Sequence, residues 1–225
     1  PLPCPALRGC ARCRIDILKS PAGGDIALPF THGDFFVADG RILTLWNEKS
    51  LNEEDGRILR TPCREVAIPF DKPSSRDIET LVAAFLERDD ALGLAAPQIG
   101  LSRRIIVFRN KGFNDSSEWT KSEENYDVLI NPRITQARGE KIVLSEGCLS
   151  CPEIRVDIGR FPEIKVRAVD RSGKKINMRY TDFLARVVQH EIDHLEGRLI
   201  VDYEGTLYYP KKRQALFERL FLPES

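Results

Sequence analysis

Apolar residues recur with a helical period in two segments of the chain. Within residues 78–86 they occupy positions i, i+3, i+4, i+7 and i+8, which predicts an amphipathic helix with one face on a core. A similar face runs through residues 182–196, where Gly197 is well placed to end the helix. A third helix is expected from Pro210 to about Leu220, because proline is favoured in a first turn. An N-cap pattern marks the start of the first helix: Pro73, Ser74 and Asp77.

Shorter segments have the composition or the alternation of strands. Residues 104–108 and 128–130 are rich in Ile and Val, and the polar residues 111–126 between them predict a surface loop. Apolar and charged positions alternate through residues 163–181, with a turn at residues 171–174, which predicts an antiparallel hairpin. Because strands and helices are mixed without a regular βαβ order, we expect an α+β fold.

The beginning of the chain differs from the rest. Residues 1–40 are rich in proline, carry three of the six cysteines and show no sustained helical or strand period. We therefore expect an N-terminal extension at residues 1–40 and one folded domain over residues 41–225.

Cysteines outside the later motifs raise one alternative. Cys10 and Cys13 have the CxxC spacing of half a structural zinc or iron–sulfur site. Cys4 and Cys63 do not provide a clean second half, so this remains a minor hypothesis.

Composition excludes several classes of protein. The 225 residues contain 34 Lys+Arg and 34 Asp+Glu, so the net charge is zero and nucleic acid is not the expected main partner. No apolar stretch approaches the ~20 residues that span a bilayer, and no signal core stands near the start. We expect a soluble protein with a single core.

Two of the three histidines lie four residues apart, in the sequence HEIDH at residues 190–194. On a helix this spacing returns to nearly the same face, so His190 and His194 can converge on one metal ion. Glu191 lies one step further round, where its carboxylate can reach a water on the metal without being a ligand. The alternative is a helix with two exposed histidines, but an unpaired imidazole pair on a packed face would be costly.

A catalytic metal needs a third protein ligand if one position is to stay open for water. No histidine follows His194, and the better candidate is Cys148 in EGCLS at residues 146–150. Gly147 permits close approach of the backbone there, and a thiolate is a strong ligand. Cys151 competes for the role, and spacing alone does not separate the two cysteines.

A third segment, GLAAPQIG at residues 93–100, combines small residues with one amide side chain. Its backbone can lie against a ligand, and Gln98 offers an uncharged hydrogen-bond donor. The alternative is a tight connection with a solvent-facing Gln98.

Together, GLAAPQIG, EGCLS and QHEIDHLEG at residues 189–197 resemble the three signature motifs of the peptide deformylases, in the same order and at similar spacing. The EGCLS form and the C-terminal helix are similar to the type I branch. The resemblance implies an α+β fold with antiparallel sheets packed around a central HExxH helix. It also implies a metal-dependent hydrolase that removes the formyl group from the N-terminal formylmethionine of newly made polypeptides.

The resemblance also assigns roles to residues. Cys148, His190 and His194 match the metal ligands, and Glu191 matches the catalytic acid/base. The implied metal is Fe²⁺ in the cell, with Zn²⁺, Ni²⁺ or Co²⁺ in purified protein. The other matches are Gln98 and the backbone N–H of Leu149 as oxyanion donors, Gly93 as a backbone contact to substrate, and Arg155 at the peptide-binding cleft.

Further expectations concern the surroundings of the site and the cell. Asp193 is either a solvated helix residue or a partner that orients the metal site, and the second interpretation is favoured. Glu146 is either a buried partner for an arginine or a polar residue of a strand. Candidates for contact with the methionine side chain are Leu94, Leu149 and residues 183–187, which the sequence does not rank. The implied partners are N-formylmethionyl nascent peptides near the ribosome, without sequence-specific nucleic-acid binding or membrane contact. The expected location is the bacterial cytoplasm, or an organelle if the extension is a targeting remnant.

Two departures from the family pattern are visible. Cys151 stands where the family usually has an aliphatic residue, and residues 1–40 have no counterpart in the minimal enzyme. Two rival functions also remain: a metalloprotease, favoured by HExxH alone, and a deformylase-like binding protein that has lost activity.

Overall fold

The computed structural model of the chain describes residues 2–3, 41–113 and 119–221. The expectations for Cys4, Cys10 and Cys13 lie outside the described residues. In the described part, the strands are β1 (Leu2–Pro3), β2 (Gly93–Ala95), β3 (Ile105–Arg109), β4 (Tyr126–Arg138), β5 (Ile142–Cys148), β6 (Cys151–Arg160), β7 (Glu163–Val169), β8 (Lys175–Thr181) and β9 (Leu207–Tyr209). The α-helices are α1 (Glu53–Leu59), α2 (Lys72–Leu86), α3 (Asp182–Leu195) and α4 (Gln214–Phe221).

The strands form two antiparallel sheets. One has the order β1-β9-β6-β5, and the other has the order β2-β3-β4-β7-β8. Helix α3 packs against strands of the five-stranded sheet, and its side chains also bond to β5 and β6 of the other sheet. The central helix between antiparallel sheets, expected from the resemblance, is therefore confirmed.

Both faces of the five-stranded sheet are covered, which explains why β3 is apolar at four consecutive positions. Ile105 and Val107 pack in a cluster with α2, whereas Ile106 and Phe108 pack in a cluster with α3. A third cluster joins the four-stranded sheet to the C-terminal helix through Phe217. Helix α3 is thus held in place by the apolar cluster that it shares with Ile106 and Phe108 of the five-stranded sheet.

The predicted helices and hairpin are present, with shifted boundaries. The hairpin is formed by β7 and β8, and α3 ends before Gly197, whose φ is +70°. The N-cap of α2 is Asp71, which accepts a hydrogen bond from the backbone N–H of Ser74, so the predicted N-cap pattern was placed too late. The C-terminal segment begins with a 3₁₀ turn at Lys211–Arg213, and the α-helix starts only at Gln214.

Strand β4 is much longer than the predicted strand at residues 128–130. Its pairing with β7 shifts register between Ile130 and Arg133, so the strand continues past Pro132 through an irregularity. Asn131 has φ of +52° there, and its side chain pairs with the backbone of Val66. The predicted loop at residues 111–126 accordingly ends one residue late, because Tyr126 already belongs to β4.

Candidate metal centre and catalytic cleft

Helix α3 and the end of β5 bring three ligand atoms together. His190 and His194 lie one turn apart on α3, and Cys148 is the last residue of β5. Their ligand atoms lie within 4.8 Å of one another, and the Cys148 sulfur is 3.3 Å from Nε2 of His194. Cys151 does not belong to this group. The geometry therefore favours Cys148 as the third ligand.

The donor set fits a divalent metal ion. The pKa of Cys148 lies well below its usual value, because the Cys151 thiol hydrogen-bonds to it and both histidines lie beside it. Metals bind the thiolate form of cysteine. One thiolate and two imidazoles suit Zn²⁺ or Fe²⁺, and these three ligands would leave room for water on a four-coordinate ion.

Glu146 orients the ring of His190. Its Oε2 lies 3.0 Å from Nδ1 of His190, which leaves Nε2 of that ring for the metal. Arg160 donates two hydrogen bonds of 2.9 Å to the same carboxylate, and Arg186 donates one of 2.5 Å. Burial raises the pKa of Glu146, but the hydrogen bonds from His190 and Arg160 outweigh it and lower the pKa to about 2. Glu146 is therefore an ionised, buried partner of arginines, one of the two alternatives that the sequence left open, and it also contacts the ligand His190.

Asp193 also supports the site, from the side of α3 that faces away from the metal. Its carboxylate accepts hydrogen bonds from Arg160 and, at 2.6 Å, from the Tyr203 hydroxyl. The guanidinium of Arg160 also lies 4.8 Å above the Tyr203 ring. A chain of contacts thus runs from Asp193 through Arg160 and Glu146 to the ligand His190.

Glu191 occupies a buried position next to the histidine His190. Its side chain is 4% exposed, and Oε2 has no hydrogen-bond partner within the described residues. Burial raises the pKa of Glu191 to about 7. A carboxyl with this pKa can both accept and donate a proton near neutral pH. Strand β2 lies directly against it at Gly93.

Gln98 is fixed by a short 3₁₀ turn, Ala96–Ile99, that follows β2. Its Oε1 accepts a hydrogen bond of 2.9 Å from the Ala95 N–H. Its Nε2 donates to Ser150 at 3.2 Å and lies 3.9 Å from the Cys148 sulfur. Gln98 is 2% exposed, so the alternative of a solvent-facing glutamine is wrong.

These groups share one cleft of about 750 Å³. Of the predicted site residues, only His194 does not line the cleft, since it is buried behind the other ligands. Among the candidates for contact with the methionine side chain, Leu94 is fully buried in the core against α2 and does not line the cleft. The predicted site residues that line the cleft are Gly93, Gln98, Cys148, Leu149, Arg155, His190 and Glu191.

Three residues of the network were missed from the sequence: Arg160, Arg186 and Tyr203. Arg160 and Arg186 are only 4% and 6% exposed, although Arg160 ends a strand and Arg186 interrupts the apolar face of α3. A charged residue at an inward position of an amphipathic helix was the signal available for Arg186, because a buried arginine requires a counter-charge.

The fold and the site define a metal-dependent hydrolase of the HExxH type. The sequence model of the family described as polypeptide deformylase matches residues 49–208. A peptide deformylase of Tolumonas auensis is 37% identical over 169 residues, covering 72% of this chain and 92% of the relative.

Solved structures agree with this match. A peptide deformylase from Legionella pneumophila superimposes with a TM-score of 0.60 at 32% identity, over 80% of this chain and 92% of that one. The Met-Ala-Ser-bound class I type b peptide deformylase from Acinetobacter baumannii gives a TM-score of 0.58 at 28% identity, over 72% and 97% of the two chains.

The chain belongs to the polypeptide deformylase family. It is a metal-dependent hydrolase that removes the N-formyl group from newly made polypeptides, and it acts in protein biosynthesis. The rival interpretation as a metalloprotease is therefore wrong. Over the ranges that the structure describes, no helix is long and apolar enough to cross a membrane.

Proposed function

We propose that Cys148, His190 and His194 hold the metal ion and that Glu191 is the acid/base of deformylation. The observation that carries this proposal is the convergence of the three ligand atoms within 4.8 Å of one another. The buried Glu191 directly follows the ligand His190 in the chain. The metal is Fe²⁺ in the cell, and Zn²⁺, Ni²⁺ or Co²⁺ can replace it in purified protein because imidazole and thiolate bind these ions as well.

The reaction is hydrolysis of a formamide bond near neutral pH. When bound, the metal supplies Lewis acidity that polarises the formyl oxygen and makes water a better nucleophile. Glu191 accepts the proton of the attacking water at its carboxylate and later donates it to the departing methionine nitrogen. Its pKa of about 7 suits both steps, since neither protonation state is strongly favoured at neutral pH.

Charge develops on the formyl oxygen as its carbon becomes tetrahedral. The Nε2 of Gln98 lies 3.9 Å from the sulfur of the proposed ligand Cys148, so its amide would be a donor close to the formyl oxygen of a bound substrate. The backbone N–H of Leu149 is the second donor. The hydrogen bond from the Ala95 N–H to Oε1 of Gln98 holds the amide group in place, so this donor is positioned before the reaction begins.

The cleft accepts the methionine and the following residues of the peptide. Phe183 and Val187 on α3 line it together with Leu149, and they offer the apolar surface for the methionine side chain. Arg155 is held at the cleft by hydrogen bonds from its guanidinium to Ser145. The Acinetobacter baumannii relative was solved with Met-Ala-Ser bound, and the formylated form of that tripeptide is the substrate we propose for assays.

In the cell, the substrates are formylmethionyl nascent chains near the ribosome, which places the enzyme in the bacterial cytoplasm or in an organelle. Residues 1–40 are an extension that the catalytic site does not require. No direct recognition of nucleic acid is proposed, since the chain carries no net positive charge.

Glu191→Gln tests the assigned proton transfer. The substitution keeps the size of the side chain but removes its ability to accept a proton. We expect metal content near one ion per chain, and kcat on formyl-Met-Ala-Ser lower by about 10²–10⁴ with little change in KM. Glu79→Gln, at an exposed position of α2, is the matched control and should keep full activity. Activity of Glu191→Gln within a few-fold of the unchanged enzyme would exclude the proposed role.

A further inference from the structure

Cys148 and Cys151 stand opposite each other where β5 turns into β6. The two residues are paired across the antiparallel ladder, and only Leu149 and Ser150 separate them along the chain. Directly opposed residues of such a ladder have Cα atoms about 4.5–5.5 Å apart. A disulfide bond spans Cα separations of about 4.4–6.8 Å. The backbone therefore already holds these two cysteines at disulfide-forming separation.

The two side chains also share one face of the ladder. Directly opposed residues of an antiparallel pair point to the same side of the sheet, so the two sulfurs lie on the same side of the turn, and both are free thiols. Both residues line the cleft, but Cys148 is partly exposed whereas Cys151 has no exposed surface. A small oxidant that enters the cleft therefore reaches Cys148 first. The thiol of Cys151 is then the neighbouring group that can react with the oxidised sulfur.

We propose that Cys148 and Cys151 form a reversible disulfide in the presence of a hydroperoxide, and that this bond releases the metal ion. The inference rests on the proposed role of Cys148 as a ligand. A disulfide sulfur is not a thiolate, so the metal would retain only His190 and His194 and would dissociate.

The chemistry balances with hydrogen peroxide as the oxidant. Attack of the Cys148 sulfur on peroxide breaks the O–O bond and gives a sulfenic acid and one water. The Cys151 sulfur then attacks the Cys148 sulfur, the S–O bond breaks, and the hydroxyl leaves as a second water with the proton of the Cys151 thiol. The two thiols lose two electrons, and the peroxide is reduced to two waters. A dithiol reverses the reaction by exchange.

Cys151 gains a function by this inference. Without a neighbouring thiol, a sulfenic acid on a ligand cysteine proceeds to sulfinic and sulfonic acids, which thiols do not reduce. With Cys151 in place, oxidation stops at a disulfide from which the metal site can be rebuilt.

The experiment uses the full chain loaded with Zn²⁺, because zinc itself does not change oxidation state. Hydrogen peroxide is added in steps, released zinc is followed with a chromophoric chelator, and free thiols are then blocked with iodoacetamide. Trypsin cleaves after Lys141 and Arg155, so both cysteines and no others lie in one peptide of residues 142–155. A disulfide within this peptide lowers its mass by about 2 Da relative to the reduced form and prevents alkylation, since two hydrogens are lost.

Three proteins are compared: the unchanged chain, Cys151→Ala and Cys63→Ala. Cys63 is a buried thiol in a different core cluster, and its substitution serves as the control. For the unchanged chain and Cys63→Ala we expect the disulfide, zinc release in step with it, and recovery of zinc binding after dithiothreitol. For Cys151→Ala we expect sulfinic or sulfonic acid on Cys148 and no recovery.

The outcomes separate this inference from the proposed function. Zinc release with an oxidised but unbridged Cys148 in the unchanged chain would overturn the disulfide while supporting Cys148 as a ligand. A disulfide in the peptide with zinc fully retained would instead overturn the ligand role of Cys148. Recovery by dithiothreitol that is equal in Cys151→Ala and the unchanged chain would also overturn the inference.

Discussion

Gly93 and Glu191 lie so close together that no side chain fits between them. A β-carbon on Gly93 would stand 2.5 Å from Oε1 of Glu191 and 2.8 Å from its Cγ and Cδ. Real β-carbons do not approach other atoms this closely, and φ at Gly93 does not require glycine. The glycine of the GLAAPQIG motif is therefore needed for space: strand β2 sets the position of the carboxyl.

Gly93→Ala should displace Glu191 without removing a metal ligand. We expect the metal content to stay near one ion per chain and kcat to fall by about 10²-fold, the usual effect of moving a catalytic group by about 1 Å. Kinetics on formyl-Met-Ala-Ser together with metal analysis would measure both. Gly56→Ala in α1 is the control, since the nearest atom to its new β-carbon would be 3.6 Å away. Unchanged kcat in Gly93→Ala would mean that the carboxyl tolerates displacement.

The variants Cys148→Ala and Cys151→Ala should differ in their affinity for the metal ion. Only Cys148 lies with the two histidines, so we expect its alanine variant to lose the ion on dialysis while Cys151→Ala keeps it under reducing conditions. Metal per chain after dialysis, measured by atomic absorption, gives the comparison. If both variants lost the ion equally, the ligand set proposed for the site would be wrong.

Removal of residues 1–40 should leave the catalytic cleft intact. Every predicted site residue lies between Gly93 and His194, and the three core clusters of the described residues start at Ile42. We expect kcat/KM on formyl-Met-Ala-Ser within about tenfold of the full chain, which is about 1.4 kcal/mol. A larger loss in a truncated protein with an unchanged circular dichroism spectrum would show that the extension contributes to the site.

The sequence predicted those parts of the fold that carry a strong period. Helices α2 and α3 follow from the helical period of their apolar residues, and the β7–β8 hairpin follows from alternation of apolar and charged residues, since each element has one buried face. The β5–β6 hairpin was missed because three of its apolar residues face outward, so alternation there does not mark a core: Ile142, Val143 and Leu144 are all about half exposed or more. The continuation of β4 past Pro132 depends on an irregular register, which no local pattern reveals.

In the candidate site, too, the sequence predicted the relations between residues close in the chain and missed those between distant residues. The spacing of HExxH predicts that His190 and His194 share a helix face, because that relation is local. The spacing does not separate Cys148 from Cys151, because their distances to the two histidines depend on how the β5–β6 hairpin packs on α3, and in the folded chain only Cys148 of the two groups with the histidines. Arg160 and Arg186 were missed for a related reason. They lie 14 and 40 residues from Glu146 in the sequence, on another strand and on α3, so no local pattern shows that they meet the carboxylate.

Glu146 gives a prediction about stability and pH. Its folded-state pKa of about 2 lies below its ordinary value of 4.5, so the ionised carboxylate stabilises the fold. That contribution is fully present above about pH 4.5 and is lost as the pH falls toward 2. Glu146→Gln removes the carboxylate that pairs with the buried Arg186 and one of the two carboxylates that pair with the buried Arg160, the other being Asp193.

We therefore expect Glu146→Gln to lower the free energy of unfolding by about 3–5 kcal/mol at pH 7, the usual cost of breaking a buried ion pair. The difference from the unchanged protein should shrink as the pH is lowered from 4.5 toward 3, because the Glu146 carboxylate is protonated in the unfolded chain over this range while it is still ionised in the folded protein. Urea titrations of the metal-free proteins at several pH values measure this without interference from metal binding. Glu65→Gln is the control, since its ion pair with Arg133 is more than half exposed and solvent screens it. A loss of stability in Glu146→Gln that stayed the same from pH 7 to pH 3 would show that packing, and not the charge of Glu146, holds the two arginines in place.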